Sequence, residues 1–177
     1  ITRWYYNDAK RKLRSMPNLK IIGITGSFGK TSTKNFLYRV LSERYNVLMT
    51  PGNFNTILGV VRTVREHLKP HHEVFIVEMG AKQRGDIKEI CDLVEPEIGV
   101  VNIDSEAAYN HIKEHGYKIK SYAVDNPRAD YRATNILYSS TETRFDVESC
   151  GGVDEGYATH ILGRGNILNI TAALAVA

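Results

Sequence analysis

Apolar positions along this chain fall into short blocks that alternate between two periods. Residues 19–25 (LKIIGIT) form a run too short for a helix, bounded by Pro17 and Gly26, and predict a buried strand. From Thr31 the period changes: Phe36, Leu37, Val40 and Leu41 share one helical face, which predicts a helix to about Arg44. The alternation then repeats. Strands are expected at 46–49, 73–78, 98–101 and 118–124, and helices at 56–68, 86–94 and 104–115. The first of these helices carries Ile57, Val61, Val64 and Leu68 on one stripe, and the second turns Ile87, Ile90, Cys91 and Val94 inward. Asp104 or Ser105 suits the N-cap of the third. Strands joined through helices of this length imply parallel crossovers with helices on both faces of a sheet.

After Pro127 the pattern changes again. Residues 132–138, 144–148 and 157–162 read as short strands joined by Ser/Thr and Gly-Gly turns, which predicts antiparallel pairing. An Ala-rich helix is expected over 166–177, and it ends without a cap or polar tail, as if cut from something longer. The first 18 residues are basic and polar, close on Met16-Pro17-Asn18, and read as a helix or linker leading into a domain. The fold class expected is therefore α/β: a P-loop-type, mostly parallel sheet with helices on both faces, plus a small antiparallel β-sheet near the C-terminus.

Between the first strand and the first long helix lies Gly26-Ser27-Phe28-Gly29-Lys30-Thr31. Glycines there let the backbone turn its N–H groups toward one point at the positive end of the helix, which makes an anion cradle. Lys30 is placed to reach the outer phosphates of a nucleotide, and the Thr31 hydroxyl to ligate Mg²⁺. The pattern is shortened, with Ile24 where GxxxxGK[ST] has its first glycine. A turn that binds nothing is the bland alternative, and a dinucleotide site the chemical one. Gly23, Gly26 and Gly29 run GxxGxxG rather than GxGxxG, however, and a lysine suits a triphosphate better. Glu78 ends an apolar strand before Met79-Gly80, at the sheet edge where such folds bind ligands, and its carboxylate could hold the metal.

Composition narrows the field. Of 177 residues, 42% are hydrophobic and 24% charged, a globular balance that excludes wholesale disorder. A net charge of +3 is too mild for a nucleic-acid binder, and no apolar stretch could span a bilayer. Neither a signal peptide nor a metal or redox spacing of Cys91 and Cys150 is present, so a cytoplasmic location is expected. An NKxD motif and the kinase HRD and DFG motifs are missing. His111, Glu114 and His115 match HxxEH, but on a charged helix a solvated face explains them as well as zinc does. His71-His72 reads as loop, the basic residues 10–14 as a solvated face, and Trp4, Tyr5 and Tyr6 as packing.

Residues 22–35 (IGITGSFGKTSTKN) resemble the ATP-binding loop of the Mur ligases. Residues 50–56 (TPGNFNT), 73–86 (EVFIVEMGAKQRGD) and 162–170 (LGRGNILNI) agree with the branch that joins D-alanyl-D-alanine to the UDP-N-acetylmuramoyl tripeptide, the MurF type. The resemblance implies ATP and Mg²⁺ as cofactors. It implies that Gly26, Ser27, Phe28, Gly29, Lys30, Thr31 and Ser32 hold the nucleotide, with Lys30 and Glu78 catalytic and Thr31 and Glu78 as metal ligands. Asn53 and Asn55 match asparagines facing nucleotide and substrate. Asn166 matches an adenine contact, with Asn169 one turn later.

Three departures accompany the resemblance. Gly165 stands where the family has histidine. Val101 runs into Asn102-Ile103-Asp104 without the family's stretch holding a metal-binding histidine and a carbamylated lysine. Both flanking domains, for UDP-sugar and for amino acid, are missing, so 19–177 reads as the central ATP-binding domain. The implied chemistry is acyl activation followed by amide formation, with UDP-MurNAc-peptide and D-Ala-D-Ala as partners of the intact enzyme. Two alternatives stay open: a related ligase on another carboxylate, as in folylpolyglutamate or cyanophycin synthesis, and a non-catalytic nucleotide-binding module. An unrelated P-loop phosphotransferase would need acceptor residues that the chain does not display.

Overall fold

A computed structural model describes residues 3–26, 29–81, 83, 85–104 and 118–176. The elements run α1 (Arg3–Arg14), β1 (Lys20–Thr25), α2 (Lys30–Ser42), β2 (Val47–Met49), α3 (Ile57–His67), β3 (Val74–Glu78) and α4 (Asp86–Val94). They continue with β4 (Ile98–Asn102), β5 (Ile119–Ala123), β6 (Tyr131–Tyr138), β7 (Thr143–Ser149), β8 (Gly152–Thr159) and α5 (Arg164–Val176). The expected helix over 104–115 lies outside the described residues, and so does the HxxEH motif on it.

One sheet takes in all these strands, in the order β2-β3-β1-β4-β5-β6-β7-β8. From β2 to β6 every pairing is parallel; β6, β7 and β8 then pair antiparallel. The antiparallel strands expected near the C-terminus are thus present, and they extend the parallel sheet. Helices cover both faces of its parallel part. Ala9 and Leu13 of α1, Val60 and Val64 of α3 and Ile90 and Leu93 of α4 bury one face with Phe75 and Val77. On the other face Leu37 of α2 and Ala172 and Ala173 of α5 close over Ile22, Ile24, Ile76 and Val100.

This order creates the crevice that positions the site. The chain leaves β1 through α2 on one face toward β2, and leaves β3 through α4 on the opposite face toward β4. The carboxyl ends of β1 and β3 therefore face a gap from which the connections diverge, the place where open α/β sheets take ligands.

Local chemistry adjusts several sequence expectations. Val40 is 47% exposed, and the buried positions of α2 are Thr33, Lys34 and Leu37, so its inward face is partly polar. The last strand is Gly152–Thr159 rather than 157–162: Gly152 pairs with Ser149 across a tight turn, and the outward side chains leave no apolar alternation to read. The helix that Asp104 or Ser105 was expected to cap lies outside the described residues, and the Asp104 carboxylate accepts the backbone N–H groups of Val124, Asp125 and Asn126 at 3.0, 2.9 and 3.0 Å. Tyr6 packs against the core, while Trp4 and Tyr5 stay largely exposed beneath the Arg65 guanidinium, 5.1 and 4.4 Å from their ring centres. Among the described residues no helix is long and apolar enough to cross a membrane.

Candidate nucleotide site

The loop after β1 has the backbone the glycines were expected to supply. Gly26 sits at φ 142° and Gly29 at φ 79°, conformations that side-chain-bearing residues rarely adopt. Gly29 is the N-cap of α2 and has no side chain to occupy the free N–H groups of the first turn. Those donors and the helix dipole favour an anion there. Ser27 and Phe28, two of the expected cradle residues, lie outside the described residues. Lys30 folds back, its Nζ donating to the Gly26 carbonyl at 2.6 Å. That contact occupies the ammonium with a neutral oxygen that a phosphate oxygen would readily replace.

Glu78 ends β3 beside this loop, only about 2% exposed at its side chain, and four groups converge on it. The Thr31 hydroxyl donates to both carboxylate oxygens, at 3.2 and 3.1 Å. Asn55 Nδ2 donates to Oε1 at 3.1 Å and Lys34 Nζ to Oε2 at 2.9 Å. The Glu78 backbone N–H is held by the Thr50 hydroxyl at 3.1 Å. Close approach makes this possible: a Cβ on Gly80 would stand 2.7 Å from Asn55 Cγ, and the Gly80 N–H donates to the Asn55 carbonyl at 2.8 Å.

The structure thus brings Lys30, Thr31, Glu78 and Asn55 into one place. Their donor set suits a hard divalent cation: a carboxylate and a hydroxyl, both oxygen ligands, with positions left for water and phosphate oxygens. Among the described residues no three His, Cys, Asp or Glu side chains cluster as a metal cage, so Glu78 and Thr31 would carry the protein's share. Asn53 is exposed on the same loop and contributes its carbonyl to the Asn55 N–H at 2.7 Å.

Beside the cradle lies a cavity of about 300 Å³ lined by Gly29, Ser32, Asn102, Tyr122, Gly165, Asn166 and Asn169, among others. Asn169 is buried and its Oδ1 accepts from the Thr33 hydroxyl at 2.9 Å. Thr33 also meets the Tyr122 hydroxyl at 3.2 Å. Burial raises the Tyr122 pKa, the Thr33 hydrogen bond opposing and the Asp104 charge adding to it, so this lining is neutral. Asn166 lies at the mouth, with Nδ2 on the Leu162 carbonyl at 2.7 Å. A larger cavity, about 780 Å³, opens at the opposite sheet edge around Met16, Lys20, His72 and Glu97 and contains none of the expected site residues.

Sequence reasoning passed over Lys34, Thr33, Tyr122 and Thr50. The signal for Lys34 was available: it stands three and seven residues before Leu37 and Leu41, on the stripe α2 turns to the sheet. A charged residue on a buried stripe is rarely unpaired.

The Mur ligase middle domain profile matches residues 24–103 and 88–177. The UDP-N-acetylmuramoyl-tripeptide--D-alanyl-D-alanine ligase of Bacillus subtilis is 28% identical over 190 positions, covering 88% of this chain and 40% of that protein. The ligase of the same name from Escherichia coli is 27% identical over 213 positions, covering 99% and 46%. The chain therefore spans less than half the length of these relatives. The alignment of 213 positions exceeds the chain's 177 residues, so that relative carries internal residues this chain lacks. Among solved structures, a MurF ligase from Thermotoga maritima in complex with ADP superposes with a TM-score of 0.76 at 23% identity, covering 98% of this chain and 48% of that one.

Proposed function

The chain belongs to the Mur ligase family through its middle domain, and from that premise we propose that it is the nucleotide-binding part of an ATP-dependent amide ligase of peptidoglycan precursor synthesis. Residues 19–177 are the central ATP-binding domain and residues 1–18 lead into it. The intact enzyme adds D-Ala-D-Ala to UDP-MurNAc-tripeptide in the cytoplasm. One observation carries this reading: Thr31 and Glu78 meet at the carboxyl edge of β1 and β3, directly beside a glycine cradle on a helix N-terminus. The two relatives are named for this reaction, and the Thermotoga ligase was solved with ADP.

When bound, ATP would supply the γ-phosphoryl group to the substrate carboxylate with ADP as the leaving group, and an amine attacking that acyl phosphate would expel inorganic phosphate and leave the amide. Residues of this chain bind and align. The N–H groups around Gly26, Ser27, Phe28 and Gly29 and the start of α2 hold the phosphates. Lys30 exchanges the Gly26 carbonyl for phosphate oxygens and offsets the charge that develops as the phosphoryl group transfers. Thr31 and Glu78 would hold Mg²⁺, with Asn55 orienting Glu78 and Asn53 facing the substrate side. Ser32, Asn166 and Asn169 receive the nucleoside in the cavity beside the cradle. No side-chain nucleophile takes part.

Calorimetric titration of ATP, ADP and GTP with and without Mg²⁺ tests the site. Adenine-nucleotide binding that depends on Mg²⁺ and disappears in Lys30→Ala is the expected result. Absence of binding by the folded chain would remove the proposal. A second reading, a nucleotide-binding module without ligase activity, is favoured by the internal residues that the E. coli relative has and this chain lacks. The two share the expectation that this chain binds nucleotide and ligates poorly or not at all. Ligation of a UDP-muramoyl tripeptide by this chain would exclude the module reading and overturn that expectation.

A further inference from the structure

Glu78 is engaged by more donors than a metal ligand requires, and the extra one is a charge. Lys34 reaches it from α2, one turn after Thr31, so hydroxyl and ammonium aim at the same carboxylate from one helix face. The pair is sealed from water, with side-chain exposures of 1% and 2%. The same ammonium donates to the Gly52 carbonyl, in the loop between β2 and α3. One buried cation therefore joins three elements: α2, the end of β3, and the loop that carries Asn53 and Asn55.

We propose that Lys34 is a positioning residue, a resident cation that holds Glu78 and the 50–55 loop in place and that competes with the metal for that carboxylate. The inference deepens the function proposed above and rests on Glu78 being the metal's carboxylate. Any divalent cation that ligates Glu78 shares it with the ammonium, and like charges on one carboxylate repel strongly where water is excluded. The ammonium then leans on the Gly52 carbonyl, its other acceptor among the described residues. Metal at Glu78 is thereby transmitted to a loop segment, 52–54, that supplies no metal ligand. A purely structural ion pair behaves differently: its removal costs stability and leaves metal affinity unchanged or reduced.

The test uses the 177-residue chain, Lys34→Met, and Mn²⁺ as the probe in the presence of ADP. Free Mn²⁺ is followed by electron paramagnetic resonance, and hydrogen exchange is followed at the Phe54 amide, which donates to the Pro51 carbonyl at 3.0 Å. The variant is expected to bind Mn²⁺ about tenfold more tightly than the parent and to lose Phe54 protection in the metal-free state. Equal or weaker Mn²⁺ binding by the variant overturns the proposal and leaves the metal site standing. Mn²⁺ bound by neither protein overturns both. Should Lys34→Met fail to fold, Asn55→Ala decides, because among the described residues Lys34 is then the side chain that still joins the Glu78 carboxylate to the loop, the Thr50 hydroxyl meeting only the Glu78 backbone N–H. Mn²⁺ must still alter exchange at Phe54 in that variant; exchange indifferent to Mn²⁺ overturns the proposal.

Discussion

The parallel part of the sheet and its antiparallel extension are hydrogen-bonded into one surface, yet they behave as different materials. Every residue of β3 is buried, and β1 is buried from Ile21 onward. In β8 no residue is buried, and in β6 only Ala133 is. Covering helices make the difference: α1, α3 and α4 close one face of the parallel strands and α2 and α5 the other, whereas only a smaller cluster of Phe145 and Val147 with Ile167 of α5 anchors the ribbon. A polar group in the first region must find a partner inside the protein, and that requirement draws Lys34, Thr31 and Asn55 onto Glu78. In the ribbon most polar side chains reach water, the buried Thr143 hydroxyl of β7, which has no hydrogen-bond partner among the described residues, being the exception. Chemistry concentrates where water has been removed.

Two ion pairs measure that contrast. Lys34–Glu78 is buried, while Arg132–Glu148 crosses from β6 to β7 with side-chain exposures of 29% and 48%. Lys34→Met should lower unfolding free energy by about 3–5 kcal/mol, because it strands a buried carboxylate. Arg132→Gln should cost no more than about 1 kcal/mol, since solvent screens the pair. Urea denaturation of both variants decides the matter. Similar losses would mean that the two regions differ less than their burial says.

Apolar truncation makes a second, slightly smaller contrast. Ile76 in β3 is fully buried, and Ile76→Ala should cost about 2–5 kcal/mol through lost transfer energy and a cavity. Val153 in β8 is 52% exposed, and Val153→Ala should fall within about 0.5 kcal/mol. A loss above that range for Val153 would show that a partner covers the ribbon in solution.

The same division explains how much of the molecule could be read from its sequence. In the parallel part, burial on both faces forces continuous apolar runs, so 73–78 and 86–94 match β3 and α4 almost to the residue. In the ribbon, β8 carries Asp154 and Glu155 in an exposed strand, and nothing in its pattern marks where pairing begins. The phosphate end of the site was legible because glycines, a lysine and a threonine must be neighbours to form a cradle. Its surroundings were not. Periodicity puts Lys34 on a buried stripe, but that its partner is Glu78, that Thr50 holds the Glu78 N–H and that Tyr122 meets Thr33 is set by sheet order and helix rotation, which local periodicity does not encode.

The two cysteines give the finest form of the comparison. Cys91 in α4 is 1% exposed and points its thiol at the Met79 sulfur, 3.6 Å away. Cys150 is exposed in the turn between β7 and β8. Burial, reinforced by the Asp92 charge and opposed by Lys88, pushes the Cys91 thiol from 9.0 up to about 11. The thiolate is the nucleophile, so at pH 8 an aromatic disulfide reagent should label Cys150 in the native chain and spare Cys91 until urea is added. The sign of the pH effect follows from the direction of the shift. Between pH 9 and 11 the folded state keeps a proton that the unfolded state releases, so the stability linked to Cys91 is whole below pH 9 and lost as pH rises through 11. A Cys150→Ser chain measures Cys91 separately: it should stay unlabelled at pH 8, and its urea midpoint should fall as pH climbs from 9 to 11. Prompt labelling of that chain at pH 8 would mean that α4 opens as readily as the ribbon's turn, and the two regions would then differ in burial but not in local stability.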